Sequence, residues 1–208
     1  MRPLITLTTD FGLDDPFVGI MKGVILNIEP NAHIIDITHN IEPQNILQAA
    51  RVLNTTFPWY PKGAVHVIVV DPGVGGPKIK KSPETEKKSS KLKDNNLSMI
   101  AEGRGPIGKR PIVIQSQFQT FIGPDNGVLT PALGQKSRVY EINNPQYFLK
   151  NVSNTFHGRD IFAPVAAWIA TGIPASKMGP RVLKPTQLDM PEACLLYTSP
   201  SPRDQRGS

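Results

Sequence analysis

The sequence predicts an α/β protein in three α/β/α layers, with a sheet between helices. Three observations carry this expectation. Short β-branched runs alternate with segments of helical apolar spacing. The run His66-Val67-Ile68-Val69-Val70 continues unbroken to Asp71, as a strand covered on both faces does. Acidic turns recur where strands end, the place where open α/β sheets collect ligands.

The elements follow in order. Leu4-Ile5-Thr6-Leu7-Thr8 reads as a strand ending at Asp10-Phe11-Gly12. Phe17, Ile20, Met21, Val24, Ile25 and Ile28 then have the spacing of one helix face. His33 to Thr38 is a second strand closed by His39, and Asn45 to Phe57 a second helix with Ile46, Ala49, Ala50, Val52 and Leu53 inward. The Asp71 strand is third, and Pro72 and three glycines turn the chain after it. Pro111 to Ser116 and Thr120 to Ile122 are strand-like, followed by the acidic turn Pro124-Asp125-Asn126-Gly127. Phe162 to Thr171 is an apolar helix preceded by Thr155-Phe156-His157-Gly158-Arg159-Asp160.

Composition sets the class. At 208 residues, 39% hydrophobic and 19% charged, the chain can bury one full core. No apolar stretch approaches a membrane span and no signal peptide precedes the first strand, so a cytoplasmic protein without a membrane partner is expected. The single cysteine, Cys194, excludes an internal disulfide framework and a thiolate metal cluster. The net charge of +6 suggests nucleic acid, but Pro77 to Lys109 holds nine basic and four acidic residues, a net +5, leaving the rest near neutral. That segment lacks apolar period and aromatic residues that could stack on bases, so it reads as a disordered insertion rather than a nucleic-acid arm. The domain is expected over residues 1–190, with 77–109 as the insertion. Residues 191–208 are expected to be a disordered, non-native tail, because 195–208 have no period and resemble translated adapter sequence.

Asp10, Asp36, Asp71, Asp125 and Asp160 each fall at an expected strand end or helix entrance, and His39 and His157 share two of those turns. On the residues alone, such a set fits either a metal cage or a polar cleft for a hydroxylated, cationic ligand. No pair has the close helical spacing of a dedicated metal motif. His157 could equally be a satisfied turn histidine, and Asp160 a cap for a helix starting near Ile161.

The ordered blocks resolve the choice by resemblance. Thr9-Asp10-Phe11-Gly12 with Asp15, Val18-Gly19 and Lys22-Gly23; Asp36-Ile37-Thr38-His39; Val70-Asp71-Pro72-Gly73-Val74-Gly75; Pro124-Asp125-Asn126-Gly127; and Thr155-Phe156-His157-Gly158-Arg159-Asp160 together closely resemble the S-adenosyl-L-methionine hydroxide adenosyltransferase family. This is the hydrolase branch of the fluorinase and chlorinase superfamily. The likeness spans roughly residues 3 to 185, apart from the Lys-rich insertion.

The resemblance implies hydrolysis of S-adenosyl-L-methionine to adenosine and L-methionine by attack at the 5′ carbon, with neither metal nor cofactor. Asp71 matches the family acid that orients water and takes its proton, and His157 the histidine of an Asp-Arg-His set. Asp10 matches the carboxylate that holds the ribose hydroxyls. Asp15 is expected at the methionine ammonium group, Phe156 beside the adenosine, and Asp125 and Asn126 along the same cleft; Phe11 and Gly158 are placed on the substrate side with them. The family arginine follows the DPGVG turn closely, but here the insertion intervenes, so Arg110 is the expected replacement, with Lys109 and Lys78 as others. A lysine would lose the planar fork of arginine. Halide-dependent adenosyl transfer is the related alternative. Fluorinases lack the Asp71 carboxylate, which would repel a halide, and carry a serine in place of Gly158. A metal-dependent hydrolase is the other alternative. Family members continue into a C-terminal β-barrel-like domain that completes a neighbour's site in a homotrimer; this chain is expected to lack it and to be weakly active or inactive alone.

Overall fold

The unbroken run ahead of Asp71 forms β3 (Val65–Val69), every residue of which is buried. In the computed structural model, which describes residues 2–70, 110–153 and 155–190, Val65, Val67 and Val69 enter one apolar cluster. Ile68 enters a second cluster, together with Val70 just past the strand. Both faces of β3 are therefore covered, and no polar face is needed. Asp71, Lys78, Lys109 and the whole 77–109 stretch lie outside the described residues, as does the 191–208 tail.

β3 sits inside a six-stranded sheet with β1 (Leu4–Thr9), β2 (His33–Thr38), β4 (Pro111–Gln115), β5 (Thr120–Pro124) and β6 (Arg138–Glu141), in the order β2-β1-β3-β5-β4-β6. β2, β1, β3 and β5 are mutually parallel along that order. β4 runs antiparallel to β5 and to β6. β6 is an addition to the elements expected from the sequence. It has four residues, of which only Val139 is fully buried, so it offered no period to read.

Helices α1 (Phe17–Ile28) and α3 (Ala163–Ala170) share the first apolar cluster, and α2 (Ile46–Thr56) packs on the second. The expected three layers are present. The buried stripe of α1 is Val18, Met21 and Ile25. Phe17 and Ile20, expected inward, are each 39% exposed because the stripe is rotated away from them. Asn45 caps α2, its side chain accepting from Gln48 N. A π-helical turn at Gly158–Phe162 precedes α3. Pro164 has no N–H to offer the Asp160 carbonyl four residues back, and that carbonyl accepts from Leu149 N at 3.0 Å instead.

From β1 the chain crosses to β2 on one side and returns to β3 on the other, so the winding reverses between β1 and β3. Thr9 and Val69 pair in register at the carboxyl ends of these strands. This is the crevice in which doubly wound sheets hold ligands.

Candidate active site

A cleft of about 400 Å³ opens at that reversal, with Asp10, Phe11, Val69, Phe156, His157 and Gly158 in its wall. Three segments distant in sequence thus meet: the end of β1, the end of β3 and the entrance to α3. A second hollow of about 340 Å³ beside Leu133, Ser137 and Arg181 contains none of the expected site residues.

Asp10 follows β1 directly, and its Oδ2 accepts from Gln44 N at 2.9 Å. Gln44 has φ 65°, a left-handed backbone that turns its N–H toward the carboxylate. The turn after Asp10 needs Gly12, whose φ is +69° and whose N–H donates to the His39 carbonyl at 2.9 Å. Gln44 and Phe17 also line the cleft. Sequence reasoning had put Phe17 on a helix face and gave no signal for Gln44, whose part in the site depends on its backbone N–H.

The apolar wall is a cluster of three rings meeting edge to face. Phe17 and Phe156 have centroids 5.1 Å apart, Phe11 and Phe156 5.9 Å, and Phe11 and Phe17 6.1 Å. Gly158 lies beneath them. A Cβ there would stand 3.1 Å from Phe156 Cε2, 3.2 Å from Met21 Sδ and 3.3 Å from Phe11 Cε2. A side chain at this position would require the rings and Met21 to shift by a few tenths of an ångström.

Asp160 is fully buried and does not cap the helix. Its Oδ1 accepts from Arg159 Nε at 2.6 Å, and its Oδ2 accepts from Ser153 N at 2.7 Å and from the Arg159 guanidinium at 3.1 Å. Burial would push this carboxyl up, but the Arg159 and Ser153 hydrogen bonds and the Arg159 charge outweigh it and hold it below the ordinary carboxylate range. Ser153 Oγ in turn accepts from Phe156 N at 3.1 Å, and the Arg159 guanidinium lies 5.4 Å from the Phe156 ring centre. The ion pair, buried on its Asp160 side, therefore shapes the loop that presents Phe156 and His157.

Asp125, Asn126 and Arg110 stand together but are not among the residues lining the cleft. Arg110 Nε donates to Asp125 Oδ2 at 2.8 Å, and Thr186 N donates to Asp125 Oδ1 at 2.6 Å. Asn126 Nδ2 donates to the Val70 carbonyl at 2.8 Å, and its Oδ1 accepts from Val128 N at 3.0 Å. Asn126 thus holds the carbonyl just past β3, while the Arg110–Asp125 pair ties the start of β4 and the end of β5 to Thr186. Asp15 is exposed in the turn before α1 and also does not line the cleft. Among the described residues no three His, Cys, Asp or Glu side chains converge on a point that could hold a metal ion.

The profile of the family described as SAM hydroxide adenosyltransferase N-terminal domain matches residues 5–95 and 96–179, its break falling inside the Lys-rich stretch. A protein of Salinispora arenicola named (R)-S-adenosyl-L-methionine hydrolase is 37% identical over 199 residues, covering 91% of this chain and 64% of its own length. A fluorinase of Nocardia brasiliensis is 27% identical over 184 residues, covering 87% and 58%. Among solved structures, an uncharacterized conserved protein from Thermotoga maritima superposes with a TM-score of 0.71 at 38% identity, covering 90% of this chain and 62% of that one. The chain spans about three fifths of the length of the curated relatives it matches.

Proposed function

Because the chain belongs to the SAM hydroxide adenosyltransferase family, we propose that it hydrolyses S-adenosyl-L-methionine to adenosine and L-methionine. The observation that carries this reading is the meeting of Asp10, the Phe11-Phe17-Phe156 cluster and His157 in one cleft at the β1/β3 reversal. A carboxylate for a diol, an aromatic wall for a base and a titratable side chain are the groups a nucleoside substrate needs.

The chemistry asks for few groups. A water oxygen bonds to the 5′ carbon while the carbon–sulfur bond breaks, and the electron pair leaves with sulfur. The sulfonium becomes the neutral thioether of methionine, so the leaving group needs no proton. The water must lose one. Asp71, which follows Val70 in sequence, is the proposed acceptor and orienter, with His157 beside the reaction. The adjacent Val70 carbonyl is held by Asn126, and Val69 lines the cleft, which directs β3 toward the site. Asp10 retains acceptor capacity for two ribose hydroxyls, since a carboxylate offers about four lone-pair sites and Gln44 N occupies one. The Arg110 guanidinium is engaged by Asp125, and we read its role as joining the start of β4 to the end of β5 and the segment at Lys184 and Thr186. The charge of Asp71 disfavours a halide nucleophile, which sets the reading apart from fluorinase chemistry.

The same proposal has the protein acting on a small molecule without a cofactor, in the cytoplasm and as a homotrimer. Among the described residues no helix is long and apolar enough to cross a membrane. Incubation of the chain with S-adenosyl-L-methionine, followed by chromatography, tests the activity. Because this one chain lines the cleft, weak activity rather than none is expected: adenosine and methionine should appear in equal amounts, and much less from Asp71→Asn, and a chain that releases neither contradicts the proposal.

A further inference from the structure

The Asp10 turn is bracketed by one histidine that the proposed reaction does not use. His39, 3% exposed at the end of β2, places Nδ1 2.9 Å from Thr9 Oγ1, immediately before Asp10. The same Thr9 Oγ1 accepts from Phe11 N at 3.3 Å, immediately after Asp10. The His39 main-chain carbonyl accepts from Gly12 N. One residue thus reaches positions 9 and 12 directly and position 11 through Thr9, on both sides of the cleft carboxylate.

The ring is itself oriented from the far side. Asp36 Oδ1 stands 3.1 Å from the buried His39 Nε2, a close charge contact rather than a formed hydrogen bond, and Asp36 Oδ2 accepts from Lys22 Nζ at 2.6 Å. An acceptor-only neighbour favours the proton on Nε2. Nδ1 is then the acceptor and the Thr9 hydroxyl the donor, which leaves Thr9 Oγ1 lone pairs for Phe11 N. Lys22 lies on α1 and Asp36 on β2, so the row crosses three elements before it reaches the cleft.

We propose that His39 is a positioning residue: through Thr9, and oriented by Asp36 and Lys22, it fixes the direction in which Asp10 faces the nucleoside. This rests on the reading of Asp10 as the carboxylate that holds the ribose hydroxyls. Thr9 is wholly buried, so the row cannot deliver a nucleophile to the cleft. Its effect is on geometry, and misplacement of a positioning group is costly for binding and catalysis.

The test uses two readouts on the whole chain. Amide exchange followed by NMR reports the turn, through the N–H groups of Phe11, Gly12 and Gln44. Calorimetry with adenosine and with 2′,3′-dideoxyadenosine reports what Asp10 contributes. His39→Ala and His39→Gln should speed exchange at these three amides about ten-fold, with the β3 amides unchanged. Both should weaken adenosine about ten-fold and leave the dideoxy compound unaffected. His39→Asn, whose amide oxygen can take the place of Nδ1 toward Thr9, should restore both values; Gln reaches only toward Asp36. Unchanged exchange in His39→Ala, or equal losses for the two nucleosides, overturns the inference. If the unsubstituted chain binds the two nucleosides alike, the Asp10 reading fails instead, and the exchange data still decide whether His39 sets the turn.

Discussion

Arg110 Nε donates to Asp125 Oδ2 across 2.8 Å, and the carboxylate it meets is only 4% exposed. Thr186 N holds the other oxygen, so the pair joins the start of β4, the end of β5 and the 184–188 segment. Arg110→Ala leaves a buried carboxylate short of its charged partner. We expect a loss of about 1–3 kcal/mol, read by urea unfolding, and an Asp125→Asn double-mutant cycle should show coupling between the two. Adenosine formation per folded molecule should change little; a fall like that of Asp71→Asn would return Arg110 to the reaction centre.

Asp160 ties Ser153 and Arg159 together beneath Phe156. Asp160→Ala removes these charge-assisted bonds and should cost about 2–4 kcal/mol, with faster proteolysis in the 149–156 loop. Because the folded-state carboxyl is held below its ordinary value of 3.8, its contribution is complete above that value and is lost as pH falls through the folded-state value. The acid limb of stability below about pH 4 should therefore flatten in Asp160→Ala.

His66 gives a separate pH window. It is 2% exposed, stacks on Phe121 at 5.0 Å and shares a 2.8 Å hydrogen bond with Thr6. Burial pushes it down from 6.5 to about 4, against a smaller upward pull from Gln119. The unfolded chain takes the proton first as pH falls, so this contribution is full above 6.5 and declines until about 4. Between about pH 7 and about pH 4.5 the loss is roughly 2–3 kcal/mol. His66→Asn, measured by denaturant midpoints at both pH values, should lose most of that dependence.

Gly158 is the tightest point of the cleft floor. Gly158→Ala brings a methyl to within 3.1–3.3 Å of Phe156, Met21 and Phe11, and these must give way. A destabilisation of about 1 kcal/mol is expected, with weaker adenosine binding in calorimetry because the ring cluster is displaced. Unchanged affinity would mean that the rings do not form the nucleoside wall.

The strands with strong β-branched runs and the long amphipathic helices were legible because burial on two faces or one stripe leaves a direct sequence period. β6 was not, having one buried hydrophobic among four residues. The π-turn before α3 depends on the Asp160 carbonyl, which Pro164 cannot serve, accepting from Leu149 N, a contact between residues too far apart for any local pattern. In the site, Asp10, Phe11, Phe156, His157 and Gly158 were named from motif blocks and do line one cleft. Asp125, Asn126 and Arg110 were named with them but do not line that cleft, because an acidic turn reads the same whether its carboxylate faces a ligand or a neighbouring backbone N–H. Gln44 gave no signal, since its contribution is made by the main chain.

The central claim is that water attacks the 5′ carbon of S-adenosyl-L-methionine, and heavy-oxygen water tests it most directly. Mass spectrometry of the products should find one heavy oxygen in adenosine, on the 5′ hydroxyl, and none in methionine. Adenosine without the label, or no adenosine at all, would contradict the account.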